Sequence, residues 1–515
     1  MTSINPYYAA LDLGSNSFHL IIVKVTDSGI QEVDKVKHMV RLGEGLTKDG
    51  VISHDAFDRG LEALTQMGQL ISNIPREQVR AVGTNTLRVA ENGAEFLAKG
   101  EAVLGHNIEI ISGQEEARLI YLGITEHNHF KDHNLVIDIG GGSTEMIAGQ
   151  NSQPELLRSM KIGCANMARR FFHKGRINKG AIKKAMNHVG QTVEPHILAY
   201  QNYPRQRVIL SSGTAKSVLR VIQNERPEAN HVTAKDLNRL LDTLQMIGHA
   251  DKISAALGID PARAYGFTGG VCILAALFKH LDIEAAVVSQ EALREGVLLE
   301  LMGRTDGYGD ERERTVTALQ QRFNIDTTHA ARVTILARHL SRSLGVNAPP
   351  RFDPLLEYAG ELHEIGLAVS LGKHQNHGAY LIRHLDMPGF SHLMQQIMAL
   401  LVKGQRKKLP GKYLDKLPKA QRKFTWQFCL CLRLAVLIYR SRIDLDPANY
   451  PTFSVDEHKN YTLTFPAGYL DAHPLTMADL QEESELWAES GKLTLNIIEA
   501  PQSEATASTP ESTEK

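Results

Sequence analysis

The sequence predicts an α/β protein made of a duplicated lobe, followed by a helical domain and a small C-terminal α+β module. Three observations predict this. One pattern occurs at residues 7–22 and again at 134–149: an apolar strand, Asp-x-Gly, a small-residue turn ending in Ser, and a second apolar strand. Around both copies, short apolar runs alternate with segments of helical spacing, as in layers of strands covered by helices. From residue 314 helical spacing dominates, and strand-like runs return only within 452–499.

The elements follow in chain order. Residues 7–24 read as strand, Gly/Ser/Asn turn, strand. Residues 54–74 carry helical apolar spacing, with Ser53 or Asp55 as the cap. VRAVGTNTLR (79–88) reads as a buried strand entering a loop, AENGAEFLAKGEAVLG as a helix, NIEIISG as a strand and QEEARLIYLGITEH as a helix. The second copy of the hairpin follows, and VILSSGTAK (208–216) reads as a strand–turn–helix junction. These readings divide the chain into a first lobe (1–125), a second lobe (126–305), a helical domain (306–450), a small module (451–500) and a tail (501–515). TDGYGDERER is a polar linker after the second lobe, and the Ser/Thr/Pro/Glu-rich tail is expected to be disordered.

Composition narrows the function classes. The 515 residues are 43% hydrophobic and 22% charged with a formal net charge of −1, so no global field favours a polyanion and any such preference must be local. Cys164, Cys272, Cys429 and Cys431 show neither metal spacing nor a disulfide framework, which fits a reducing compartment. The first eight residues lack a basic stretch followed by an apolar core, and no apolar run is read as a membrane span. A cytoplasmic protein is expected, with peripheral association at the inner face of the cell membrane left open.

The two turns carry the chemistry. A small-residue turn between strands leaves backbone N–H groups free to form a concave anion site, and glycine permits close approach. Gly14, Ser15, Asn16 and Ser17 form the first such loop, and Gly140, Gly141, Gly142 and Ser143 the second. The Asp preceding each loop would repel phosphate unless a cation lay between them. Mg²⁺, with Mn²⁺ as a substitute, suits that place, since it binds through one or two carboxylates plus water and phosphate oxygens. Asp12 and Asp138 are the candidate metal carboxylates, with Glu145 close by on the second hairpin.

The motifs DLGSNSFHL, VGTNTLR, ISGQEEARLIYLG, DIGGGSTE and EALREGV resemble those of the exopolyphosphatase and guanosine pentaphosphate phosphatase (Ppx/GppA) family, through residues 7–300. The resemblance implies actin-like (ribonuclease H-like) ATPase lobes and metal-assisted water attack on a terminal phosphoryl group. It places the carboxylate base at Glu116 and a phosphate-binding arginine at Arg88. It implies a processive exopolyphosphatase as the leading function, with guanosine pentaphosphate 5′-phosphohydrolase as the alternative and both activities in one enzyme conceivable. A homodimer is expected. An actin- or kinase-like ATP-binding protein and a nonenzymatic sensor are the rival classes; ATP turnover indifferent to polyphosphate would mark the former. Gly213 and Thr214 lie where superfamily kinases hold adenosine.

Residues 355–382 resemble a fragment of an HD-type phosphohydrolase. His363 and Glu364 stand in place of His-Asp, with His377 and His329 as further candidates. Val436 occupies the place of the distal aspartate, so an incomplete set and a helical scaffold without chemistry are expected. Residues 403–423 hold nine basic residues against one acid, Asp415. Lys403, Arg406, Lys407 and Lys408 are the candidate polyphosphate track. No base-stacking motif accompanies the charge, so nucleic acid is not an expected partner.

Overall fold

The computed structural model describes residues 6–26, 29–128, 130–303, 311–458, 460–489 and 493–501. Most of the expected linker (304–310) and nearly all of the expected tail (502–515) lie outside the described residues. The chain divides into two compact units, Met1–Gly309 with Pro388–His392, and Asp310–Met387 with Leu393–Lys515.

The first unit contains the duplication as two sheets. One is built from β1 (Tyr7–Leu13), β2 (Phe18–Thr26), β3 (Gly29–His38), β4 (Val79–Gly83) and β5 (Ile108–Ile110), in the order β3-β2-β1-β4-β5. The other is built from β6 (His133–Ile139), β7 (Thr144–Gln150), β8 (Gln153–Met160), β9 (Arg207–Ser211), β10 (His231–Thr233) and β11 (Ala285–Val288), in the order β10-β11-β9-β6-β7-β8. In each, three antiparallel strands lead to a parallel neighbour, β1 beside β4 and β6 beside β9. Equivalent positions therefore coincide: Asp12 matches Asp138, and each sits one residue before the end of its strand.

A shared core joins the lobes. Ala10, Ile21 and Val82 of the first sheet and Val136, Ile147 and Ile209 of the second pack with the helix Gly113–His127 and with Leu293 and Val297 of the helix Leu293–Leu301. Those two helices touch backbone to backbone. A Cβ on Gly296 would lie 1.8 Å from the Leu119 carbonyl oxygen, and one on Gly123 would lie 2.5 Å from that of Ala292. Only glycine at both positions permits this approach, which fixes the helix whose first turn carries Glu116.

Two readings change here. The segment after β4 is not a loop: Asn85–Val89 form a short helix, so Arg88 projects from a helical turn. The helix Pro261–His280 is long and apolar enough to cross a membrane by length and composition, which the sequence reading did not register. Its Phe267, Val271, Ile273 and Leu274 lie in the core of the second lobe, so burial in protein accounts for its composition.

In the second unit, helices run from Glu311 to Ile438, followed by a three-stranded sheet of β12 (Thr452–Val455), β13 (Asn460–Phe465) and β14 (Thr494–Glu499) in that order. The helix Pro474–Glu489 buries Trp487 against Phe453 and Tyr461 of this sheet. Arg433, 2% exposed, is paired with Glu483 and also donates to the carbonyls of Gly404 and Lys407, so this buried charge is fully engaged.

Candidate active site

Each hairpin turn is closed by the same bond: Gly14 N–H donates to the Ser17 carbonyl (3.2 Å) and Gly140 N–H to that of Ser143 (3.0 Å). The two loops face each other. A Cβ on Gly141 would sit 3.3 Å from Ser15 Cβ, and one on Gly142 would sit 2.1 Å from Asn85 Nδ2. Gly163 backs the second loop so closely that a Cβ there would lie 2.4 Å from the Gly141 carbonyl. The glycines thus let two backbones converge where their N–H groups can serve one anion.

His19 orients the first loop. Its Nδ1 lies 3.0 Å from Arg294 Nη1, which only donates, so Nδ1 accepts and Nε2 carries the proton. That Nε2–H donates to Ser17 Oγ at 2.8 Å, leaving the serine hydroxyl hydrogen to point elsewhere. Burial, and then Arg294, Lys37, Arg263 and Lys216, push the imidazole down to about 3, so it stays neutral.

Four carboxylates converge beside the loops. Glu116 lies in the first turn of the helix Gly113–His127, whose Ser112 cap accepts from Glu115 N–H. Glu116 is 8% exposed and 3.6 Å from Arg88 Nη1, while Arg88 also donates to the Ile111 carbonyl at 2.6 Å. Burial lifts Glu116 to about 7; Arg88 opposes the rise and Asp138 adds to it. Asp12 rises to about 8 through burial and then the charge of Glu116. Asp138, which accepts from Ser211 Oγ, rises to about 6 through burial. Glu145, fully buried and bonded to Ser159 Oγ at 2.7 Å, is raised well above its ordinary value by burial and by Glu116 and Asp138.

Such a set is costly without a cation. Glu116 Oε2 and Glu145 Oε2 are buried without a hydrogen-bond partner. All-oxygen donors suit Mg²⁺, which the residues therefore fit. Among the described residues, only His329, His363 and Glu364 bring three candidate ligand atoms within 4.8 Å of one another. The lobe carboxylates form no such close three-ligand set, so their cradle is the more widely spaced of the two.

The structure brings together the predicted Asp12, Asp138, Glu145, Glu116, Arg88 and both loops. It adds cations that the sequence reading missed. Lys37, Lys216, Arg263 and Arg294 all bear on His19, and burial with the neighbouring cations lowers Lys37 to about 8. Lys216 is lowered too, by burial and then Arg294. Arg263 packs over Gly213, where a Cβ would meet its Nη1 at 1.7 Å, so that junction faces a guanidinium. Arg294, within EALREGV, and Lys216, at the end of VILSSGTAK, lay in segments singled out from sequence, but neither was named as a site residue.

The remaining candidates belong to the second unit. Lys403 lies in the last turn of the helix His392–Gly404 with its ammonium 3.8 Å from the centroid of the Tyr413 ring. Arg406, Lys407 and Lys408 are exposed. His377 is half-buried on the helix His374–His384 and is not part of the histidine–glutamate group.

The chain matches the Ppx/GppA phosphatase family over residues 21–305 and domain III of that family over 312–484. It is 34% identical over 491 residues to the guanosine-5′-triphosphate,3′-diphosphate pyrophosphatase of Photobacterium profundum, covering 95% of this chain and 97% of that protein. It is also 34% identical over 494 residues to the Vibrio cholerae protein of the same name, with the same coverage. Among solved structures, an exopolyphosphatase from Cytophaga hutchinsonii matches with TM-score 0.53 and 27% identity, over 58% of this chain and 98% of that one. An Aquifex aeolicus family member (TM-score 0.51, 23% identity, 59% and 99% covered) shares the fold. Actin-like lobes, a C-terminal domain III and phosphoanhydride hydrolysis are thus the frame of this protein, and the chain belongs to the Ppx/GppA phosphatase family.

Proposed function

We propose that the protein removes the terminal 5′-phosphoryl group of guanosine pentaphosphate by water attack, yielding the tetraphosphate. The observation that carries the substrate is the 34% identity, over 95% of the chain, to proteins named guanosine-5′-triphosphate,3′-diphosphate pyrophosphatase. This reverses the order suggested by the motifs, which favoured inorganic polyphosphate. Polyphosphate stays as the second reading, favoured by the likeness to the Cytophaga hutchinsonii exopolyphosphatase.

In this reading the backbone N–H groups of Gly14–Ser17 and Gly140–Ser143 hold the terminal phosphates. Arg88 binds oxygens of the transferred group bidentately. Glu116 Oε2, buried, 3.6 Å from Arg88 Nη1 and without a hydrogen-bond partner, accepts a proton from the attacking water, and a value near 7 poises it for that task. Asp12, Asp138 and Glu145 would hold Mg²⁺, which when bound neutralises charge on the phosphate oxygens. Lys37, Lys216, Arg263 and Arg294 favour a substrate with phosphates beyond the scissile pair, such as a 3′-diphosphate. Phosphate release from guanosine pentaphosphate and from long polyphosphate, measured side by side, tests the assignment. A higher kcat/KM for the nucleotide supports it, and release from polyphosphate alone refutes it.

A further inference from the structure

The second unit holds another set of ligand-type side chains, remote in chemistry from the oxygen-only cradle. His329 lies in the first turn of the helix Thr327–Ser343, and His363 and Glu364 follow the helix Leu355–Glu361. One ligand atom from each lies within 4.8 Å of the other two. The imidazoles are 3% and 1% exposed, with ring centroids 5.5 Å apart.

His363 Nδ1 lies 2.6 Å from the Gly360 carbonyl oxygen, which only accepts, so Nδ1 carries the hydrogen. Nε2 is then a bare lone pair, and it is buried with no hydrogen-bond partner. His329 Nδ1 is buried without a partner as well. Buried polar atoms are ordinarily hydrogen-bonded, so two unpaired nitrogens side by side ask for a ligand. The set is fixed from outside: Gln405 Nε2 donates to the His363 carbonyl at 2.8 Å, and Asp326 caps the helix through His329 N–H at 3.0 Å. Arg442 covers the carboxylate, donating to Glu364 Oε1 and, at 3.1 Å, to Asp326 Oδ2. Its side chain is 44% exposed, so it has room to leave.

We propose that His329, His363 and Glu364 bind a first-row divalent transition-metal ion, Zn²⁺ being the best match, with Arg442 as a competing internal cation. Two imidazole nitrogens and one carboxylate oxygen select such ions over Mg²⁺, which takes oxygen ligands. Three protein ligands leave a coordination position for water. When the ion is bound, the guanidinium yields Glu364 and keeps Asp326.

The test uses the full-length protein, stripped with chelator and dialysed against Zn²⁺ or Co²⁺ with excess Mg²⁺ to occupy the oxygen cradle. One equivalent of Zn²⁺ should be retained, and Co²⁺ should give visible bands of a low-coordinate nitrogen-ligated ion. H363A should lose that equivalent. Glu364 is less buried than either histidine, so E364Q keeps the test decisive if H363A does not fold; it should weaken binding more than about 100-fold, beyond the effect of losing an outer-shell partner. R442A should bind more tightly. Failure of both wild type and R442A to retain Zn²⁺ overturns the proposal, as does unchanged retention in H363A or E364Q.

Discussion

Replacing Glu116 with glutamine separates a catalytic glutamate from a structural one, because the two roles predict stability changes of opposite sign. The carboxyl is raised from 4.5 to about 7, mainly by burial. At about 1.4 kcal/mol per unit, the fold disfavours its charged form by roughly 3 kcal/mol. Its Oε2 has no donor, and the nearest cation, Arg88 Nη1, is 3.6 Å away. Glutamine keeps the size and removes the charge. The metal-free variant should therefore melt no lower than wild type at pH 8, and higher if the burial cost is relieved. A structural glutamate would instead leave a partner unpaired and lose about 1–3 kcal/mol. Turnover should fall roughly 10²–10⁴-fold, the range for losing a general base. In wild type, kcat/KM should fall as pH drops below about 7, where Glu116 is protonated along with the metal-side carboxylates, and this acid limb should become shallower in the variant. Phosphate release and thermal melting across pH 5–9 supply all three readouts. Near wild-type turnover in a folded variant, or a lower melting temperature with the acid limb intact, refutes the role.

Four further outcomes are expected. Asp12, Glu116 and Asp138 are raised to about 8, 7 and 6, so their contribution to metal-free stability is present below about pH 4 and lost as pH rises through 6–8. Added Mg²⁺ should accordingly raise the melting temperature more at pH 8 than at pH 6, and an equal rise at both would contradict the cradle. Asp138→Ala should raise the Mg²⁺ concentration for half-maximal activity by about tenfold or more, by loss of a ligand oxygen; full activity in excess chelator would oppose any metal role. Gly163→Ala pushes a Cβ to 2.4 Å from the Gly141 backbone, which cannot swing aside, and should cost about 1–3 kcal/mol in denaturant melts while weakening phosphate binding. Replacing Arg406, Lys407 and Lys408 with glutamate should raise KM for long polyphosphate and flatten its salt dependence while sparing guanosine pentaphosphate; equal losses on both substrates would rule out a chain track.

The duplication was legible because its signal is local. An Asp-x-Gly turn ending in Ser, between apolar runs, needs no knowledge of what packs around it, and it appears twice. The carboxylates at Asp12, Asp138 and Glu145 came with that motif. Arg88 was placed on a loop because TNTLR has weak helix formers and a helical turn of five residues leaves no periodicity to read. The cations Lys37, Lys216, Arg263 and Arg294 come from four distant segments; two of those segments were noticed for other reasons, and only the packing of the lobes unites the charges. In the second unit, spacing favoured His377, but the helix starting at His374 leaves it outside the group that His329 and His363 form with Glu364. A single sequence carries register within a helix better than the meeting of helices far apart in the chain.

The most direct measurement is hydrolysis of guanosine pentaphosphate with Mg²⁺ in water enriched in heavy oxygen, with mass analysis of both products. One labelled oxygen is expected in the released orthophosphate and none in the guanosine tetraphosphate, because water held at Glu116 attacks the terminal phosphorus. Label in the nucleotide, or transfer of the phosphoryl group to an acceptor with no orthophosphate formed, would contradict it.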